Sequence, residues 1–120
     1  MKKLLFLISL ISFSLLGCNK DKCTDNFSTH QLKVNGQELD IYYTVIKGTT
    51  NIINQVNMTS LGHPNYIVID DQYKEELAGQ TKEFTFIGKI NGQVVLEVDF
   101  TFRADDCHVY KISGPDEVTI

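Results

Sequence analysis

Gln93-Val94-Val95-Leu96-Glu97-Val98-Asp99-Phe100-Thr101-Phe102-Arg103 reads as a β-strand with one dry face. Val94, Leu96, Val98, Phe100 and Phe102 fall on one side, and Val95, Glu97, Asp99, Thr101 and Arg103 on the other. Successive side chains of a strand point to opposite faces, so strict alternation marks a sheet with one face on a core and one in water. Residues 82–89 precede this stretch and carry Phe84 and Phe86 in the same alternation. Asn91-Gly92 lies between the two runs and tolerates the positive φ that tight hairpins require.

Register then decides the loop. A two-residue loop would set Phe86 opposite Glu97 and Phe84 opposite Asp99, mixing the faces of a half-buried sheet. A three-residue loop of Ile90, Asn91 and Gly92, with Gly92 as a bulge, sets Phe86 opposite Leu96 and Phe84 opposite Val98. That is the expected register. A similar stretch, Lys33-Val34-Asn35-Gly36-Gln37, reads as a second hairpin. There a two-residue loop pairs Val34 with Gln37 and Leu32 with Leu39. The likeness of the two turns reflects shared turn chemistry, because nothing else around them aligns.

Further strands are expected over residues 27–34, 38–46, 51–59, 66–70, 107–112 and 117–120. Short strands at this spacing with turn signals between them predict a sandwich or a barrel. The expected fold is an antiparallel β-sandwich, immunoglobulin-like in outline, with one short helix; a small up-and-down barrel is the alternative. The helix is expected over residues 71–78, with Asp70 or Asp71 as its cap and Gly79 at a left-handed stop.

The N-terminus has a different character. Lys2 and Lys3 precede an apolar run from Leu4 to Leu16, 13 residues broken only by Ser9, Ser12 and Ser14. Such a run suits a secretory signal. As a helix it would reach about 20 Å, short of a hydrocarbon core of about 30 Å. It ends in Leu15-Leu16-Gly17-Cys18, followed by the polar Asn19-Lys20-Asp21-Lys22. This arrangement resembles the lipobox of bacterial lipoproteins. The resemblance covers the first 18 residues and is silent about the rest. It implies cleavage before Cys18, acyl chains on that cysteine, and a membrane anchor in the cell envelope. With Asn19 rather than an aspartate after the cysteine, it points to the outer membrane more than the inner. The implied organisation is a signal peptide over residues 1–17, a lipidated tether over residues 18–22 and one β domain over residues 23–120.

The chain has three cysteines, which leaves one over in an exported protein. With Cys18 taken by lipid, the resemblance leaves Cys23 and Cys107 to pair in a disulfide-permissive compartment. Without Lys2 and Lys3, nine basic residues face 15 acidic ones, a net charge of −6 over the 103 residues from Cys18 onward. That balance argues against nucleic acid as a partner and against electrostatic adhesion to anionic headgroups.

Chemistry-bearing residues are sparse. Asp105 and Asp106 beside His108, and Asp70-Asp71, are paired acids that a Ca²⁺ site would use. No calcium-loop spacing accompanies them, so they read first as turn and cap acids. His30, His63 and His108 lie in three separate segments, without the spacing of a transition-metal site. Nucleophile, zinc-helix and phosphate-loop motifs are missing from the sequence, and no cofactor is implied. Tyr42 and Tyr43 are adjacent, so one should face outward, and Tyr42 is the candidate for contacting a partner. The functional expectation is a lipid-tethered binding or structural module for a protein, glycan or other envelope partner, and not an enzyme. The alternatives are a Ca²⁺- or small-ligand-binding lipoprotein and a small hydrolase or inhibitor.

Overall fold

The computed structural model describes Cys23, residues 26–56 and residues 62–120. The leader and tether, with Cys18, lie outside the described residues, as do residues 57–59 of one expected strand. Among the described residues eight strands follow in order: β1 Thr29–Asn35, β2 Ile41–Ile46, β3 Ile52–Val56, β4 Asn65–Asp70, β5 Thr81–Ile90, β6 Gln93–Ala104, β7 Val109–Ser113 and β8 Glu117–Thr119. A five-stranded antiparallel sheet has the order β3-β2-β5-β6-β7. A three-stranded sheet has the order β4-β1-β8, with β1 antiparallel to β4 and parallel to β8. The two sheets form the expected sandwich, and among the described residues no barrel closes.

The core is the product of alternation. Phe84 and Phe86 from β5 and Val98, Phe100 and Phe102 from β6 are buried on one face of the large sheet. Leu32, Val34, Tyr66 and Val68 are buried opposite them from the small sheet. The dry face of β6 is shorter than its sequence pattern, because Val94 is 49% exposed near the hairpin tip.

Both Asn-Gly turns depart from the expected register. Asn91 and Gly92 have φ of 52° and 76°, and they close a two-residue loop with Ile90 opposite Gln93. The extra residue sits further along, where Lys89 faces Val94 but Gly88 faces Leu96. Val95 is therefore bulged, and beyond it Phe86 meets Val98 and Phe84 meets Phe100. Apolar residues share a face as expected, but a bulge inside the strand corrects the phase instead of a longer loop.

Asn35-Gly36 makes no hairpin. β1 pairs with β4 and β8, whereas β2 pairs with β3 and β5, so the chain crosses between sheets here. Leu32 and Leu39 both have buried side chains, but they are not partners along one sheet. Both edges of β1 are occupied, which leaves β2 no place beside it. Gly36 has φ of 106°, and a Cβ there would lie 2.4 Å from the Ile120 carbonyl oxygen. Only glycine fits that approach.

Tyr42 corrects a second expectation. It is 4% exposed, on the same inward phase as Thr44, with its ring against Tyr66 and Phe86. Tyr43 takes the outward phase and lies under the Lys89 ammonium. Gly88 stands opposite Tyr42, and its absent side chain makes room for the Leu39 side chain inside the sandwich. Thr44 is fully buried and donates from Oγ1 to the Val68 carbonyl at 2.6 Å. Val68 is the extra residue of the β1–β4 bulge, so Thr44 satisfies a carbonyl that the ladder leaves over.

After β4 the chain makes a 3-10 turn, Asp71–Tyr73, and a short helix α1, Lys74–Leu77. The Asp70 carboxylate caps this element by accepting from the Gln72 N–H at 2.9 Å. Leu77 plugs into the core. The left-handed stop begins one residue earlier than expected, at Ala78, and continues through Gly79.

Candidate functional site at the disulfide end

The Cys23–Cys107 disulfide joins residues 84 apart in sequence, with Cα atoms 5.1 Å apart. It fastens the entry of the domain to the turn between β6 and β7. Beside it lies a carboxylate clasp. Asp71 is 5% exposed and receives the Ser28 N–H at 2.7 Å, the Val109 N–H at 2.8 Å and His108 Nδ1 at 2.6 Å. Burial alone would push its pKa up. The Ser28 N–H, the His108 imidazole and the Val109 N–H outweigh that and hold it below the ordinary value of 3.8. One ionised side chain thus ties the segment before β1, the start of the helical turn and the start of β7.

The next acids follow the same logic on the surface. Asp105 Oδ1 accepts from the N–H groups of Cys107 and His108, each at 2.8 Å. These bonds hold its carboxyl below the usual carboxylate value. Asp106 is exposed beside it. Asp70 caps the helical turn, and its neighbour Asp71 makes the clasp. The structure therefore brings His108 to Asp71 and leaves Asp105 and Asp106 in a turn. Among the described residues no three His, Cys, Asp or Glu side chains converge to hold a metal ion.

The remaining histidines are apart. His30 donates from Nε2 to the Val109 carbonyl at 2.6 Å and packs on Phe102. His63 Nδ1 accepts from the Tyr66 hydroxyl at 3.0 Å, while that hydroxyl accepts the Leu39 N–H. Among the described residues no buried side-chain nitrogen or oxygen lacks a partner. The polar groups at this end are spent on fastening backbone.

Concavities open on the surface of the described residues. A small one, about 160 Å³, lies against the disulfide between Phe27, Lys74 and His108. A second, about 430 Å³, separates α1 from Asp105 and Asp106. A third, about 420 Å³, runs between β3 and the helical turn, with Ile46, Ile52, Ile53 and Ile69 among its lining residues and Asp70 and Glu76 on its rim. Sequence reading missed both the clasp and this groove. Asp71 and His108 are 37 residues apart, and no local pattern announces their meeting. No family model, curated protein or solved structure matches the chain.

Proposed function

We propose that the protein is a cell-envelope lipoprotein, anchored to a membrane through acyl chains on Cys18, whose β-sandwich is a binding or structural module. The observation that carries this reading is Leu15-Leu16-Gly17-Cys18 at the end of the Lys2-Lys3-led apolar run. The joining of Cys23 to Cys107 supports it, because Cys18 is then the odd cysteine of three. A disulfide also fits an exported domain. Two or three acyl chains would hold the protein firmly, where one would not.

The reading carries an orientation. The four residues between Cys18 and Cys23 span at most about 14–18 Å. The disulfide end would therefore face the bilayer. β5 runs away from that end for ten residues, about 33 Å, so the Asn91-Gly92 tip would face outward. The test is acyl labelling in cells, followed by mass spectrometry of the isolated protein. Wild type should carry label and begin at Cys18, and Cys18→Ala should carry none. Unlabelled wild type, or label that persists in Cys18→Ala, sinks the anchor.

A further inference from the structure

We infer that the open edge of β3, with the groove beside it, is a docking strip for an extended basic peptide segment. β3 ends the five-stranded sheet, so beyond it no strand takes up its outer backbone edge among the described residues. Such an edge is a ready template for an added strand unless something covers or blunts it. At β7, the other edge of this sheet, the first residue is already engaged: the Val109 N–H donates to Asp71 and the Val109 carbonyl accepts from His30. The β4 carbonyls of Ile67 and Val68 already accept from Asn54 and Thr44, and β8 has three residues.

Beside β3 the surface has a shaped space. The groove of about 420 Å³ lies within the usual size range of ligand sites, about 300–1,000 Å³. Its apolar part includes Ile53 and Ile69, and Ile52 stands 48% exposed at its margin. The bond from Asn54 Nδ2 to the Ile67 carbonyl, 3.1 Å, ties β3 to β4 at its side. Asp70 and Glu76 are the charged residues of its lining, and no Lys, Arg or His joins them. The fitting occupant is therefore extended, with apolar residues alternating with Lys or Arg. Main-chain bonds to β3 would supply affinity, and the two carboxylates would select positive charge. This gives a ligand class to the binding module proposed above, and rests on that reading only in taking the domain to bind.

The test uses the full chain isolated from cells, as wild type and as Cys18→Ala, with fluorescein-labelled Thr-Val-Lys-Val-Lys-Val-Thr as probe. Anisotropy should saturate for both proteins. Amide shifts in ¹⁵N spectra should concentrate at residues 51–54 and 72–76. Glu76→Lys should weaken binding about fivefold, the worth of one partly exposed ion pair near 1 kcal/mol. Ile52→Lys, at a half-exposed position that should not disturb folding, should weaken it as well. Absence of saturation in both proteins overturns the proposal. So do equal binding of the peptide with Glu for Lys, shifts centred on another edge, or stronger shifts of the same amides by maltohexaose. Wild type that carries no acyl label but still binds the peptide sinks only the anchor.

Discussion

Lys33-Val34-Asn35-Gly36-Gln37 carries the chain from one sheet to the other, whereas Lys89-Ile90-Asn91-Gly92-Gln93 folds it back within one sheet. The residues are nearly the same and the backbones are not. Asn91 adopts positive φ, as a type I′ turn requires, and Asn35 does not. The hairpin is closed by its own neighbours, through the β5–β6 ladder. The crossing is held by distant ones: the Ile120 N–H on the Asn35 carbonyl at 3.0 Å, the Val34 N–H on the Pro64 carbonyl at 2.7 Å, and the β8 strand alongside. At its other end β1 is secured by the Asp71 clasp on Ser28. An Asn-Gly pair permits a hairpin, and the strands available on each side decide whether one forms.

The largest expected effect lies at the crossing. Gly36→Ala should cost about 3–5 kcal/mol, from left-handed strain and a Cβ driven into the Ile120 carbonyl. Urea unfolding measures it, and a loss under 1 kcal/mol would break the distinction between the turns. Asp71→Asn, at the other end of β1, should cost about 2–3 kcal/mol, because in either orientation its NH₂ would face a backbone N–H, that of Ser28 or that of Val109. The sign with pH follows from the lowered pKa. Above the unfolded value of about 3.9 the ionised clasp contributes its full stability, and that is lost as pH falls through the lower folded value. The gap between wild type and Asp71→Asn should be flat near neutrality and shrink in acid; a gap that widened in acid would contradict the clasp. Gly92→Ala should cost only about 1–2 kcal/mol, since its φ is positive but nothing lies within 4 Å of the new Cβ. Equal losses at Gly36 and Gly92 would mean that φ alone matters.

The strands were legible because burial on one face writes a period of two into the chain. Phe84, Phe86, Val98, Phe100 and Phe102 declare both their strand and their shared face. Even the need for one extra residue in the β5–β6 hairpin was readable, because an odd slip would set phenylalanine against aspartate. Its place was not readable, since a longer loop and a bulge correct the phase equally well. The partners of β1 were hidden for a related reason. Leu32 and Leu39 fit one sheet face or two facing sheets, and alternation does not tell them apart. Tyr42 against Tyr43 was a choice of phase, settled by Tyr66 and Phe86 from strands far along the chain. Asp71 looked like a cap because its sequence neighbours are a helix start. Its role as a clasp comes from Ser28 and His108, which only folding brings near.

The smallest effect should come from removing the residue that distinguishes the observed hairpin from a regular one. Val95 is 41% exposed and has no partner across the ladder, where Lys89 faces Val94 and Gly88 faces Leu96. Deleting it closes the ladder without moving any inward residue: Leu96 still meets Gly88, and Val98 still meets Phe86. The deletion should change stability by less than about 1 kcal/mol and keep the Phe86–Val98 contact in nuclear Overhauser spectra. Deleting Asp99 instead should unfold the domain, because it either turns Phe100 and Phe102 out of the core or, if the bulge closes to absorb it, sets Glu97 against Phe86. If both deletions unfold it alike, the bulge is a structural requirement of β6 and not a removable phase correction. The hairpin would then depend on distant contacts as much as the crossing does.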